Sequence, residues 1–459
     1  MNKSLNRRNF LKNTTTVGAG TVALRYAAMA GMFSFSGPSV YAAEADKPAK
    51  LGGKPVRTAL FPIWPIYDET EEKALMEVLH SKKWFRGEGQ HVNQFEDAFA
   101  NLTGAKHCVA TANGTSAVLA SLGALDVGPG DEVIVPPYTF VATINAVLMH
   151  HALPVFVDTD PDTFQIDARK IEAAITDRTV AILPVHVGGS PADLDTILEI
   201  GRRRNIPVVE DACQAHLAEW RGKKVGTYGT IGCFSFQASK NLTAGEGGAV
   251  ITNDDDMAER LYSFHNNCRA RKTASYNFTY RGTRGANLRL TEFQGALLLT
   301  QLARLEAQSR TRDTNANYLA KQLSEIPGLA PAKIYDGCTR SAHHLFMFRY
   351  DQERFAGLSR AQFLTALMAE GIPCSGGYSP LNTETFIQNA FKSRAYQRVY
   401  AAEVLAGWAE RTHCPANDKI CDEAVWFTQN MMLGTRADMD DIVAAVNKIH
   451  AHAAELAKA

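Results

Sequence analysis

The stretch "CFSFQASKNLTAGEGGAV", Cys233 to Val250, sets one lysine, Lys240, in a run too apolar to be an ordinary solvated surface. An ammonium in such a place is costly unless it is paired or made neutral, and a neutral lysine amine is a nucleophile. The plain alternative is a lysine at a loop edge with its head in water. Upstream, "IPVVEDACQAH" ends a Val/Ile-rich run on Asp211, with Gln214 and His216 just beyond. A carboxylate there is penalised by desolvation unless a cation meets it, and a protonated pyridine nitrogen would be such a cation. A strand-end aspartate that caps the next helix is the simpler reading. Earlier still, "ATANGTSAVLASLGAL" places Gly114, Thr115 and Ser116 at the start of an Ala/Leu-rich helix. Amides and hydroxyls at a helix start form an anion site, although an ordinary N-cap uses the same residues.

The combination carries more than its parts. Phosphate donors come first, then an aromatic after a strand (Phe140 in "PPYTF"), then Asp211, then Lys240 preceded by Ser235. Pyridoxal phosphate asks for this set: amides and hydroxyls for the phosphate, a stacking face for the ring, an anion for N1 and an amine for C4′.

These residues need a frame that brings them together. "DEVIVPP", "LPVFVD", "VAILPVHV" and "IPVVEDA" are short Val/Ile-rich runs of the kind buried on both faces of a sheet. Helical stretches such as "ARKIEAAITD" and "DLDTILEIGRRRN" lie between them, and "DETEEKALMEVLHS" has acidic residues early and apolar ones at helical spacing. The pattern is repeated βαβ, so the expected class is α/β with a mostly parallel central sheet, whose ligands bind beyond the carboxyl ends of the strands. Beyond about residue 305 the order is less periodic, and "SAHHLFMFRYD" reads as a strand with Phe346, Phe348 and Tyr350 on one face. A smaller α+β C-terminal domain over 306–459 is expected to close on a large domain over 43–305. His343 and His344 at that strand's start could touch substrate, but such pairs are more often surface residues, and no third residue at suitable spacing argues for a metal.

Composition sets bounds. The chain has 459 residues, 46% hydrophobic and 21% charged, enough for a sizeable core. Lys+Arg and Asp+Glu each count 48, so bulk charge gives no preference for nucleic acid or anionic lipid. The eight cysteines form no CxxC pair and no zinc-like spacing. At the N-terminus "NRRNFLK" precedes a Gly/Ala/Thr-rich stretch, and "SVYAAEA" offers small residues for cleavage near Ala42. This resembles a twin-arginine signal over residues 1–42, with export of the folded chain to the periplasm expected and a cytoplasmic location the alternative. Arg25 interrupts the stretch, so a stable membrane anchor is not expected.

"WFRGEGQHVNQFEDAFA", "NGTSA", "GPGDEVIVPPYTFVAT", "VEDACQAH", "GCFSFQASKNLTAGEGGAVITND" and "RLTEFQGALLLTQL" resemble the DegT/DnrJ/StrS family of sugar and cyclitol aminotransferases, from about residue 55 to the end. The resemblance implies the type I fold of pyridoxal-phosphate-dependent transferases. It makes Lys240 the Schiff-base lysine, Asp211 the partner of the ring nitrogen, Phe140 the stacking residue and Gln214 the contact to the ring hydroxyl. Gly114, Thr115, Ser116 and Ser235 match the phosphate site, and Asn287 in "GANLRL" matches an asparagine that reaches the phosphate of the neighbouring subunit, which implies a homodimer. The implied reaction moves an amino group from glutamate or glutamine to a keto-sugar or keto-cyclitol. "SAHHLFMFRY" and "EAVWFTQNMMLG" lean toward the cyclitol and aminohydroxybenzoate branches, and Tyr378 in "GGYSPL" matches a segment near the acceptor; His216 is a further candidate substrate contact. Leu217 stands where the family often has glycine. A lyase or racemase on the same fold uses the same lysine, and a non-catalytic regulatory protein would be expected to lose Lys240 or Asp211.

Overall fold

The computed structural model describes residues 47–271 and 280–459. The expected export segment over 1–42 lies outside them. The described residues form one unit, organised on a seven-stranded sheet.

That sheet takes its strands from the apolar runs: β1 (His107–Thr111), β2 (Glu132–Val135), β3 (Leu153–Phe156), β4 (Thr179–Ile182) and β5 (Val209–Asp211). After a small hairpin of β6 (Glu219–Trp220) and β7 (Lys223–Lys224) come β8 (Ile231–Ser235) and β9 (Gly248–Thr252). The order across the sheet is β1-β9-β8-β5-β4-β2-β3, with β4 and β5 joined through the parallel bridges Ile182 to Val208 and Val185 to Asp211. Only β9 runs against the others. The mostly parallel sheet is thus present, and β2, β3, β5, β8 and β9 are buried at every position, as a sheet covered on both faces requires.

One face is covered by the helices Gly114–Ala124, Ala142–Met149 and Asp255–His265 through Val118, Ile144 and Leu261. Another layer, with Phe95, Phe99, Phe234 and Phe236 at its centre, joins the helix His91–Thr103 to β8 and to the helix Glu292–Ser324 through Leu298. The acidic start of "DETEEKALMEVLHS" works as read: Asp68 caps the helix Glu69–Ser81, and Glu71 returns the bond to the Asp68 amide at 2.9 Å.

The helix Glu292–Ser324 passes through residue 305 without a break, so a continuous helix links the two expected domains. Its second half packs on β10 (Leu329–Pro331), β12 (Leu345–Tyr350) and β13 (Ala424–Thr428), while β11 (Cys338–Arg340) pairs with β6. Phe346, Phe348 and Tyr350 do share a face, in one core with Phe427 and Met439. Leu345 and Met347 on the opposite face are buried as well.

Two segments cross between these regions. Residues 47–61 pack against the C-terminal core through Phe61, and Arg57 there pairs with Asp438 and Asp441 at 2.5 and 2.8 Å. Conversely, Leu381, Ile387, Phe391, Tyr396 and Trp408 return to the large sheet's core. Trp408 Nε1 donates to the Pro154 carbonyl at 2.7 Å, covering the edge strand β3. Proline in that edge position removes no ladder donor from a central strand.

Candidate active site

The expected site residues gather where the parallel strands end. Asp211 closes β5 opposite Cys233 of β8, and its neighbour Glu210 anchors the strand from the other face. Glu210 is fully buried and accepts from His186 Nε2 at 3.0 Å and from the amides of Gly226, Tyr228 and Gly229 at 2.7–2.8 Å. The Ala192 amide donates to His186 Nδ1, which leaves Nε2 as the protonated nitrogen. Burial by itself would raise the Glu210 carboxyl, but His186 and these amides hold it below the usual range.

Asp211 faces the other way, into a cavity of about 900 Å³. The Thr143 hydroxyl donates to one carboxylate oxygen at 2.9 Å, and the Cys213 amide to the other at 3.2 Å. Asp211 is buried, yet among the described residues no lysine or arginine forms an ion pair with it. A buried carboxylate so arranged has room for one more cationic hydrogen-bond donor, as the nitrogen of a protonated pyridine would be.

The start of the helix Gly114–Ala124 also lines the cavity. Asn113 caps it by accepting from the Ser116 amide at 2.8 Å. Gly114 is required by contact: a β-carbon there would stand 2.5 Å from the Ser235 β-carbon and 3.1 Å from the Cys213 sulfur. Gly114, Thr115 and Ser235 line the cavity, whereas Ser116 is buried behind them and is not among its lining residues. Free helix-start amides and two hydroxyls form a cradle for a dianionic phosphate.

Lys240 sits in the loop between β8 and β9, folded on itself by Ala238 N to Gly245 O (2.9 Å) and Phe236 N to Gly247 O (2.7 Å). Gly245 has φ +82°, a conformation glycine adopts without strain. Trp64 Nε1 donates to the Ala238 carbonyl at 2.9 Å and closes this side of the cavity. Lys240 Nζ lies 3.4 Å from His344 Nε2. Burial lowers its ammonium below the ordinary lysine value, opposed in part by Cys213 and the Asp211 charge. The answer to an amine in an apolar stretch is that the loop turns it into the same cavity as Asp211.

Phe140 also lines the cavity and is 55% exposed, so its ring presents an open face. Gln214 Oε1 accepts from the Gly188 amide at 2.8 Å, and Nε2 donates to the Tyr378 hydroxyl at 3.1 Å, leaving one amide proton for a ligand. Tyr378 packs edge-on against Trp426, with ring centroids 4.7 Å apart. Both expected contacts, Gln214 and Tyr378, therefore reach the cavity.

Two further readings are corrected. His216, expected as a substrate contact, does not line the cavity. It is fully buried with its ring against Phe234 and Phe236 at 5.8 and 5.7 Å, and the Ser235 backbone is near it without meeting hydrogen-bond geometry. Burial, reinforced by the Lys240 charge, pushes its pKa down to about 3. The turn after Asp211 explains this: Leu217 adopts φ +63°, the left-handed region that favours glycine, and its side chain is held in the core. The His343–His344 pair, read as more often a surface feature, is buried; His343 meets Asp313 at 3.0 Å and His344 faces Lys240. Asn287 is exposed and absent from this chain's cavity lining.

Arg312, from the helix Glu292–Ser324, was not singled out by sequence. It is fully buried beneath the cavity wall, bonds Gln429 Oε1 through Nε and Nη2 at 2.9 and 2.6 Å, and leaves Nη1 without a partner. Burial alone lowers its pKa to about 9.

Comparison with known proteins agrees with this arrangement. The DegT/DnrJ/EryC1/StrS aminotransferase family profile matches residues 65–447. The L-glutamine:2-deoxy-scyllo-inosose aminotransferase of Streptoalloteichus tenebrarius is 36% identical over 417 residues, covering 88% of this chain and 97% of that protein. The 3-amino-5-hydroxybenzoate synthase of Amycolatopsis mediterranei is 34% identical over 384 residues, 83% of this chain and 94% of that one. Among solved structures, 3-amino-5-hydroxybenzoic acid synthase superposes with a TM-score of 0.76 at 33% identity, covering 86% of this chain and all of the other. S. venezuelae DesV, solved with a ketimine intermediate, gives 0.68 at 30% identity, covering 85% and 94%.

Proposed function

The chain belongs to the DegT/DnrJ/EryC1/StrS aminotransferase family, and from that premise we propose that its cavity holds pyridoxal 5'-phosphate and moves an amino group from glutamine to a keto-cyclitol. The observation that carries this is the joint placement of Lys240 and a buried Asp211, with which no lysine or arginine among the described residues forms an ion pair, on one cavity that Gly114 and Ser235 also line. When bound, the cofactor supplies an aldehyde for an amine and a ring that draws electrons from the carbon losing its proton.

The chain's own residues do the rest. Thr115, Ser235 and the helix-start amides bind the phosphate. Asp211, oriented by Thr143 and the Cys213 amide, holds a proton on the ring nitrogen. Phe140 offers a stacking face, and the spare amide proton of Gln214 is available to the ring hydroxyl. Lys240 Nζ, its ammonium disfavoured by burial, would take the proton from the α-carbon of the donor and hold it inside the cavity. Trp64 and Tyr378 wall the cavity against water.

The named relatives support glutamine as donor and a scyllo-inosose-like ketone as acceptor. Exposed Asn287 supports a homodimer in which it reaches the phosphate of the second copy. The arginine pair at Arg7 and Arg8 supports export of the folded chain to the periplasm, which fractionation with N-terminal sequencing tests. The function itself is tested by adding glutamine to the cofactor-loaded enzyme and then 2-deoxy-scyllo-inosose. Loss of the cofactor's visible absorbance with the first and its return with the second is expected; no change with glutamine or glutamate refutes the assignment.

A further inference from the structure

The hydrogen bonds behind Lys240 fix the protonation of a histidine. Asn241 Nδ2 donates to the Ala342 carbonyl at 2.7 Å, and a carbonyl can only accept. The amide oxygen of Asn241 must then face His344 Nδ1, 3.2 Å away. That oxygen also only accepts, so the proton of the neutral imidazole is on Nδ1. His344 Nε2 is left with a bare lone pair, and it is this atom that stands 3.4 Å from Lys240 Nζ.

The surroundings keep the ring neutral. His344 is buried, and burial, then the charges of Lys240, His216 and Arg312, hold it well below the ordinary histidine value. The groups around it are Lys240 and Asn241 from the β8–β9 loop, His216 from the turn after β5 and Arg312 from the long helix. The nearby carboxylate of Asp313 is engaged by His343 on the other side.

We propose that His344 is a positioning residue for Lys240: its bare Nε2 receives an Nζ–H of the free amine and aims the remaining lone pair into the cavity. The inference rests on the reading above that the Lys240 amine moves the proton. An amine on four rotatable bonds has many rotamers, and one fixed acceptor selects among them. Misplacing a proton-transfer group by about 1 Å costs on the order of 100-fold in rate.

The test begins on the cofactor-free protein. Nitrogen NMR of 15N-histidine-labelled protein, with the His344 signals identified by their loss in His344→Gln, is expected to show Nδ1 protonated and Nε2 bare. A proton on Nε2, or a charged ring at neutral pH, overturns the proposal. The pH profile of Lys240 labelling by an amine reagent, read by peptide mass spectrometry, is the second measurement. Loss of an acceptor disfavours the ammonium, so His344→Phe is expected to move the labelling midpoint to lower pH. His344→Gln, which keeps an acceptor, is expected to leave it near the wild-type value. An unchanged midpoint in His344→Phe overturns the proposal. Should His344→Phe fail to fold, Asn241→Leu, which frees Nδ1 to lose its proton, is expected to populate the Nε2-protonated ring and shift the Lys240 midpoint the same way. In loaded enzyme, kcat is expected to fall roughly 10- to 100-fold in His344→Phe with KM for the donor little changed. If the aminotransferase reading were wrong, wild-type protein would fail to bind the cofactor while the ring signals stayed as described.

Discussion

His186 Nε2 donates to the Glu210 carboxylate at 3.0 Å, a fully buried hydrogen bond one residue behind the carboxylate that faces the cavity. This pair, with three backbone amides on the same carboxylate, fixes the end of β5 and hence the aim of Asp211. Removing the carboxylate leaves the His186 Nε2–H and the amides of Gly226, Tyr228 and Gly229 without an acceptor, and a buried donor so left costs about 1–3 kcal/mol. Glu210→Leu is therefore expected to lower stability by about that amount in denaturant titration and to weaken cofactor binding, although Glu210 never touches the cavity. Unchanged cofactor affinity would show that Asp211 is held by something else.

Gly114→Ala separates two effects of opposite sign. Near a helix start alanine is the better helix former by up to about 1 kcal/mol. Here its methyl would meet the Ser235 β-carbon at 2.5 Å, and overpacking of this kind costs about 1–3 kcal/mol. The clash should win, displacing Ser235. The expected result is weaker cofactor binding by on the order of tenfold, read by fluorescence titration, with the thermal midpoint unchanged or lower.

Much of this was legible because chemistry tied to strand ends leaves local marks. Asp211 closes an apolar run, Gly114 opens an apolar helix, and Lys240 stands alone in an apolar loop, so each could be placed without long-range information. His344 could not. Two histidines before a strand look like a solvated start, and only the β8–β9 loop, distant in sequence, buries the second. Arg312 lies in "SRTRD", which reads as a charged helix face, and its burial depends on Trp64 and Gln429 from both ends of the chain. His216 misled for the opposite reason: it follows Asp211 closely, but the left-handed turn at Leu217 turns it into the core. The return of residues 381–414 to the large sheet is likewise a matter of tertiary packing with no local signature.

Acid should unfold the protein through its buried histidines. His216 and His265 are both held neutral by burial, each with a pKa pushed down to about 3. A histidine depressed in the folded state binds its proton only on unfolding, so this stability is complete above the ordinary value of about 6.5 and is lost as pH falls toward 3. Each is expected to remove about 1.4 kcal/mol per pH unit in that window, roughly 2 kcal/mol between pH 6.5 and 5. His216→Leu should flatten the fall in melting temperature between those values. An equally steep fall in the variant would show that His216 titrates normally.

Trp408→Phe is expected to leave the Pro154 carbonyl unsatisfied at the covered edge of β3, at a cost of about 1–3 kcal/mol. Trp408→Ala adds a large cavity, for about 3–5 kcal/mol. Melting temperature checks both, and light scattering on heating checks whether an uncovered β3 edge promotes association.

The account rests on a bond between one amine and one aldehyde. Borohydride reduction of the cofactor-loaded protein, followed by peptide mass spectrometry, reads that bond directly. The expected result is the reduced cofactor on the peptide carrying Lys240, with no label there in Lys240→Ala. Cofactor recovered wholly free after reduction, or attached to any other lysine, would contradict it.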